Sequence, residues 1–565
     1  MVAGDEDASI GRVIGTTEAT PLRFHVGIAP GEFVQLDDVL VTDRMLPGGE
    51  LVTLSGVVSQ VRSVHEGASF GSDVFLIADG VLPAQAFESA EVLVTRVDPE
   101  VFVPPLPGGR VRRAAGEDRD RALSFDRMDR RLPLGLGRDG QALFANLDFL
   151  DGTRGAHVNI SGVSGVATKT SYATFLLHAL FNGGVLGREA ANSKALIFNV
   201  KGEDLLFLDR PNSRLTDTQR AAYARLGLPA DAFGSLGVFA PPRRGDPNAG
   251  PDVASRITGV RSFYWTLAEF CAEELLGFVF ADVEDERQQY TMIVHHLAAK
   301  LKRSFVPVGD DGAVRIDPDS EVVRTYDQLV DQIVELVTDE VTRDEWAGRA
   351  TTLGTVNAFV RRLVSSKQRI GPLVRGDIAR RTEHRIDTSS AQVTVVDLHN
   401  LHDRAQRFVV GVTLRQEFDR KEASGSARPL LFVVLDELNK YAPRDGGSPI
   451  KEILLDVAER GRSLGVILIG AQQTASEVER RVIANAAIRV VGRLDPAEAT
   501  RPEYGFLPEA HRARATIARP GTMFVNQPEI PVPLVVEFPF PAWATRSSEV
   551  GATVADDDTD PFAGL

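Results

Sequence analysis

Two adjacent pairs of side chains, Lys169-Thr170 and Asp436-Glu437, have the types and settings needed to act together on a phosphate chain. Lys169-Thr170 follows a turn of small residues holding Gly162, Gly165 and Ala167. Ahead of that turn Val158 and Ile160 alternate as in a strand, and after it Phe175, Leu176, Leu180 and Phe181 recur at helical spacing. Strand, small-residue turn, Lys-Thr and helix is the layout of a phosphate-binding loop. Its backbone amides turn inward around an anion, at a helix N-terminus that already favours negative charge. Lys169 would reach the β/γ-phosphates and the Thr170 hydroxyl would bind Mg²⁺. The candidate nucleotide-binding residues are Gly162, Ser164, Gly165, Val166, Ala167, Thr168, Lys169, Thr170 and Ser171. The spacing departs from the usual one: Thr168 stands where a glycine normally precedes the lysine, and Val163 stands where the first glycine is expected. A Gly-rich turn that merely packs a helix on a sheet fits the same stretch.

The second pair closes the run PLLFVVLDELNKYAP, whose residues Leu431 to Leu435 read as a buried strand. Carboxylates at the C-terminal end of a parallel strand lie on the sheet edge where α/β proteins bind ligands. Asp436 would hold the metal through its water shell, and Glu437 would orient and deprotonate an attacking water. The plainer reading is that acidic residues end a strand and cap the next helix. A further buried run, GVILIGAQQT, ends at Gln472-Gln473. An amide there can hydrogen-bond both a γ-phosphate and the lytic water, with Gln472 the first choice; a surface-loop glutamine is the alternative. Between the two runs, Ile450, Ile453, Leu454 and Val457 mark the packed face of a helix that ends near Arg460 and Arg462. Cations there offset the helix dipole. They are also placed to stabilise charge on a neighbouring subunit's γ-phosphate, which requires a ring.

These residues need a scaffold, and 565 residues are too many for one core. The predicted fold class is α/β: a small N-terminal β-barrel, then a mostly parallel, RecA-like core interrupted by a helical insertion. Residues 9–100 carry short alternating segments between Gly, Pro and Asp turns, the barrel pattern. Residues 101–133, rich in Pro, Gly and charge (Arg110, Arg112 and Arg113 among them), read as a linker. The core is expected over 134–240 and 393–540, the insertion over 241–392, and a C-terminal brace and extended acidic tail over 541–565. Core strands are expected at Val158–Ser161, Ala195–Val200, Leu236–Ala240, Val393–Leu398, Leu430–Leu435, Val466–Gly470, Ile488–Val491 and Met523–Asn526. Leu329, Val330, Ile333, Leu336 and Val337 recur at amphipathic spacing in the insertion, as do Val356, Phe359, Val360 and Leu363.

The net charge of −15 argues against a surface that attracts nucleic acid everywhere, yet leaves room for a local positive track. One cysteine, Cys271, excludes an intrachain disulfide and a multi-Cys zinc site, and it reads as a small buried hydrophobe. His295 and His296 read as packing or solvated histidines. With no basic and apolar leader and no bilayer-length apolar run, the chain is expected in the cytoplasm with no membrane partner.

In the order barrel, phosphate loop, insertion, LLFVVLDE, ERGRSLGV and GAQQT, this chain resembles the HerA branch of the HerA/FtsK ATPases, over roughly residues 9 to 546. The resemblance implies a homo-hexameric translocase on double-stranded DNA, using ATP and Mg²⁺, with a nuclease partner: NurA-like in end resection, or a defence effector. It implies phosphate-loop roles for Lys169 and Thr170, metal and base roles for Asp436 and Glu437, a sensor role for Gln472 and a trans-acting finger in Arg462. FNVKGED looks like the family's strand ending in Asp-Pro-His-Gly-Glu-Tyr; Gly202 and Glu203 match, while Asn199 replaces the aspartate and Lys201 the histidine. The loop GVSGVATKT departs from the family's GxTGxGK(S/T). FPFPAWATR, with Trp543 and Arg546, corresponds to a segment that braces the adjacent subunit; Arg361–Arg369 and Ile378–Arg385 are basic stretches that could line a pore, and a solvated helix face fits either equally well. A ring scaffold that hydrolyses ATP poorly, or a protein-remodelling ATPase of the same class, remain the alternatives.

Overall fold

Alternating apolar residues close the start of the chain into a barrel. Six strands form it in the order β1-β2-β5-β4-β3-β6: β1 (Gly11–Val13), β2 (Arg23–Ile28), β3 (Val39–Met45), β4 (Leu51–Glu66), β5 (Gln85–Asp98) and β6 (Arg110–Arg113). Phe24, Val26, Leu40, Val52, Leu54, Val92 and Val111 fill its interior. The closing strand β6 lies inside the stretch read as a linker. Only Val111 of β6 points inward, so its arginines gave it the look of a tether; Arg112 pairs with Asp43 and Asp118 instead. The computed structural model describes residues 9–163, 168–281, 289–378 and 383–551.

The second unit is one twelve-stranded sheet. It takes β7 (Arg131–Leu136), β8 (Ala142–Asn146), β9 (Val158–Ser161), β10 (Lys194–Asn199) and β11 (Leu236–Ala240), and its edge strand β12 (Val260–Ser262) lies inside the stretch expected to be the helical insertion. The insertion holds two small pairs of its own, β13 (Trp265–Thr266) with β16 (Val374–Arg375), and β14 (Val306–Val308) with β15 (Ala313–Arg315). After it come β17 (Val393–Asp397), β18 (Leu431–Leu435), β19 (Val466–Gln472), β20 (Ile488–Val491), β21 (Thr522–Gln527) and β22 (Ile530–Glu537). The order is β12-β11-β17-β10-β18-β19-β9-β20-β21-β22-β7-β8. The eight strands from β12 to β20 run parallel, and the last four attach antiparallel.

Continuous apolar runs make that parallel half, because each strand feeds two cores at once. In β18, Leu431, Val433 and Leu435 join the core shared with the insertion, and Phe432 and Val434 join the core on the opposite face. The amphipathic helices of the insertion behave as their spacing predicts: Leu329, Val330, Ile333 and Val337 are buried on one, Val356, Phe359 and Leu363 on the next. Cys271 is buried, and burial pushes its thiol up to about 12. Among the described residues no helix is long and apolar enough to cross a membrane.

Three features differ from the sequence reading. β7, β8, β12 and β22 have no counterpart in it: Pro133 interrupts β7, Pro531 and Pro533 interrupt β22, and β12 is only three residues long. The prolines are tolerated because β22 and β7 share only the Glu537–Leu136 pairing. The segment before the C-terminus is packed rather than extended. Trp543 is fully buried in its own chain, stacked on His178 at 4.8 Å and edge-on to Phe233 at 5.0 Å. Arg546 pairs with Asp204, so both residues expected to brace a neighbour are engaged within the chain. The acidic stretch 552–565 lies outside the described residues. The barrel is tied to the sheet unit through Asp37, whose carboxylate takes Arg514 (2.7 Å) and Arg138 (3.0 Å).

Three buried histidines give this fold an acid limit. Burial lowers His157, His178 and His511 to about 4 each, against 6.5 for the free side chain. The unfolded chain therefore binds more protons than the folded one between those values, and folding stability falls as pH drops through that window. The thermal midpoint should be level near pH 7 and decline steeply toward 4, less steeply in a His511→Gln variant; a midpoint level from 6.5 to 4 would contradict the assignment.

Candidate functional site

The C-terminal ends of β9, β19, β18 and β10 form one stretch of sheet edge. The small-residue turn leaves β9 there, with Gly162 packed so closely that an added Cβ would lie 3.2 Å from the Arg493 carbonyl. Ser164, Gly165, Val166 and Ala167 lie outside the described residues, as does the side chain of Thr168. The Thr168–Asn182 helix then begins, carrying Lys169, Thr170 and Ser171 in its first turn. Tyr172 bonds the Leu134 carbonyl at 3.0 Å and fixes the helix on β7.

The two chemical pairs meet. Thr170 Oγ1 lies 3.1 Å from Asp436 Oδ2, although the two are far apart in sequence. Lys169 is buried, and its ammonium donates to the Gly162 carbonyl at 2.8 Å. Burial lowers its pKa to about 8; Asp436 and Glu437 pull it upward and Lys201 pushes it further down. Glu437 follows β18 in a left-handed backbone conformation (φ 56°), its amide held 2.8 Å from Asp436 Oδ1. That conformation is uncommon for a residue with a side chain, and it turns the Glu437 carboxylate off the strand axis at the sheet edge.

Lys201, two residues beyond β10, completes the cluster. Its ammonium lies 2.9 Å from Asp436 Oδ2 and 3.5 Å from Glu437 Oε1. In the sequence Lys201 was only a departure from a family pattern; its signal was a cation placed directly after a buried parallel strand. Beside it, on β10 and β17, Asn199 donates to Asp397 at 2.9 Å and His399 pairs with the same carboxylate at 2.8 Å. Burial holds the Asp397 carboxyl above the ordinary carboxylate range.

Gln472 stands differently from the expectation that aims it at a phosphate. It belongs to β19, which runs two residues past the predicted end at Gly470, and it is fully buried. Its amide donates to Asn159 (2.8 Å) and Ser161 (2.7 Å) and accepts from Asn159 (3.2 Å), so it ties β19 to β9. Gln473 is the exposed amide of the pair. Arg460 and Arg462 lie at the end of the Pro449–Leu464 helix, just before β19 begins and so at the opposite edge of the sheet. Arg460 pairs with Glu422, and Arg462 donates to the carbonyls of Gly152 (3.0 Å) and Thr153 (2.9 Å).

No family model and no curated relative matches the chain. Among solved structures it is similar to VirB4 of Thermoanaerobacter pseudethanolicus, at 17% identity over 72% of this chain and 96% of that one, with a TM-score of 0.42. It is similar also to the bacterial conjugative coupling protein TrwB, at 11% identity over 77% of this chain and 94% of that one, with a TM-score of 0.45. The genome packaging NTPase B204 from Sulfolobus turreted icosahedral virus 2 aligns with 26% of this chain at a TM-score of 0.21. At these values the likeness carries no argument, and the site's chemistry stands on its own geometry.

That geometry fits a magnesium nucleotide. Among the described residues no group of three His, Cys, Asp or Glu side chains could hold a metal unaided. A hydroxyl and one carboxylate converging beside a buried lysine suit Mg²⁺, which keeps most of its waters and takes its other ligands from phosphates. The Gln472 tie gives a direct check. Gln472→Leu removes the buried amide that bonds Asn159 and Ser161 and should cost about 1–3 kcal/mol of stability in denaturant unfolding, whereas Gln473→Leu should cost nothing measurable.

Proposed function

We propose that this chain is an ATPase whose turnover drives movement along double-stranded DNA. The observation that carries the reading is the Thr170–Asp436 contact at 3.1 Å, which joins the head of a Lys-Thr helix to the carboxylate end of a buried parallel strand. Bound Mg²⁺ would neutralise charge on the β- and γ-phosphates between Thr170 and Asp436. Lys169, at the positive end of its helix, would bind the same phosphates, trading its Gly162 carbonyl for a stronger acceptor. Glu437 has the exposure and placement to hold and deprotonate the attacking water. Gln472 would keep the phosphate strand in register rather than touch the γ-phosphate.

The ring belongs to the same reading. Arg460 and Arg462 sit at the sheet edge remote from Asp436, so either could act only on a neighbouring copy's nucleotide, after Arg462 leaves the Gly152 and Thr153 carbonyls. A homo-hexamer, DNA in its centre and a nuclease partner (NurA-like or a defence effector) are the further parts of the proposal that the family resemblance supplies. On the Leu353–Ile370 helix, Arg361 is exposed on the side away from the apolar face and Arg369 is half-buried at its flank; Arg380 and Arg381 of the second basic stretch lie outside the described residues. A scaffold with weak ATPase activity is the second reading, favoured by the lysine already seated on Asp436 and Glu437.

Steady-state turnover separates the two. Wild type should hydrolyse ATP faster with long duplex DNA than without it, and Glu437→Gln should lower kcat about 100-fold or more while nucleotide still binds. Turnover indifferent to DNA would leave the scaffold. Arg462→Ala alone should be similarly slow. Mixing it with Glu437→Gln should regain activity, because an intact base in one copy then meets an intact arginine in the next. No gain on mixing would sink the shared site.

A further inference from the structure

The cation that Asp436 touches is a lysine. Asp436 is buried, and each of its oxygens is engaged: Oδ1 accepts the Glu437 amide, and Oδ2 accepts both Lys201 Nζ at 2.9 Å and the Thr170 hydroxyl at 3.1 Å. A buried carboxylate beside a second carboxylate needs a compensating positive charge. Lys201 supplies it, to Asp436 first and to Glu437 at 3.5 Å.

A divalent ion bound at Thr170 and Asp436 would use the Oδ2 that the ammonium now holds. An ammonium beside that oxygen repels the incoming ion, whether the ion is bound directly or through its water, and the repulsion is strong in a partly buried site. Lys201 is free to yield: its side chain is 42% exposed, it lies beyond the end of β10, and its long stem already brings it near Glu437. Thr170 must turn as well, from donating its proton to Asp436 to presenting its oxygen to the metal.

We propose that Lys201 is a built-in counter-cation that competes with the incoming metal for Asp436, and that on metal entry it moves to the Glu437 side of the site. It is a positioning residue: it keeps the two carboxylates paired while the site is empty and sets how much metal is needed to fill it. The inference rests on the nucleotide-site reading only for the identity of the arriving ion.

Mn²⁺ binding to the full-length protein, with and without a non-hydrolysable ATP analogue that supplies the phosphate ligands, is read by electron paramagnetic resonance and tests it. Lys201→Met should bind Mn²⁺ about tenfold more tightly than wild type, and Lys201→Arg, which keeps the charge, should stay within about twofold of it. Asp436→Asn should remove the binding from both wild type and Lys201→Met. The nucleotide-free Lys201→Met protein should also melt below wild type and be restored by Mn²⁺ alone, with Lys201→Gln as the substitute should the methionine variant not fold. Equal affinity in wild type and the charge-removing variant, or binding in neither, overturns the competition. Absent ATP turnover with the Mn²⁺ pattern intact would overturn the ATPase reading and leave this one standing.

Discussion

A parallel sheet buried on both faces has room for charge only where its strands end. β18 shows the constraint at its plainest, with every residue from Leu431 to Leu435 buried and the first two carboxylates placed immediately after. β10 ends the same way, in Asn199 and then Lys201. Neighbouring strands end level with one another, so side chains distant in the sequence arrive at one edge within hydrogen-bonding distance. The Thr170–Asp436 contact is the product of that alignment, and it fails if either strand slips by a residue, because a slip reverses every side chain's face.

The edge is balanced as a set. Lys169 and Lys201 face Asp436 and Glu437, two charges of each sign in a partly buried space. The opposite charges offset one another inside the cluster. Behind the cluster the Gln472, Asn159 and Ser161 side chains form a neutral network that bonds β19 to β9 beyond the backbone ladder. Such a network fixes the height at which the phosphate turn leaves the sheet without placing another charge near it.

Much of this was legible in the residue order. The eight core strands read from apolar runs are all present, the insertion's helices bury the faces their spacing marks, and Thr170 and Asp436 meet as their types suggested. The misreadings have physical causes. Prolines hid β7 and β22, and alternating arginines hid β6, since both look like connector chemistry until a partner strand is known. Trp543 sits in a Pro-broken segment, and only the tertiary fold reveals the aromatic slot made by His178 and Phe233. Gln472 was aimed outward because β19 was ended too early. Lys201 could not be paired with Asp436 from the sequence, because adjacency of β10 and β18 is a property of strand order and not of chain order.

Of the strands that run from the remote edge of the sheet to this one, β9 carries the small-residue turn. His157, buried with a left-handed backbone (φ 68°), begins the run into β9 and accepts the Leu468 amide at 2.9 Å on Nδ1. Its ring also lies against Gly461, where an added Cβ would sit 3.4 Å from the imidazole, so the helix that presents Arg460 and Arg462 rests directly on it. β9 is four residues long and leads from His157 straight into Gly162. A strand of that length does not stretch, and its hydrogen bonds to β19 and β20 allow it to move only with them. Arg462, held on the Gly152 and Thr153 carbonyls, thus lies at the base of the strand whose other end leads into Gly162.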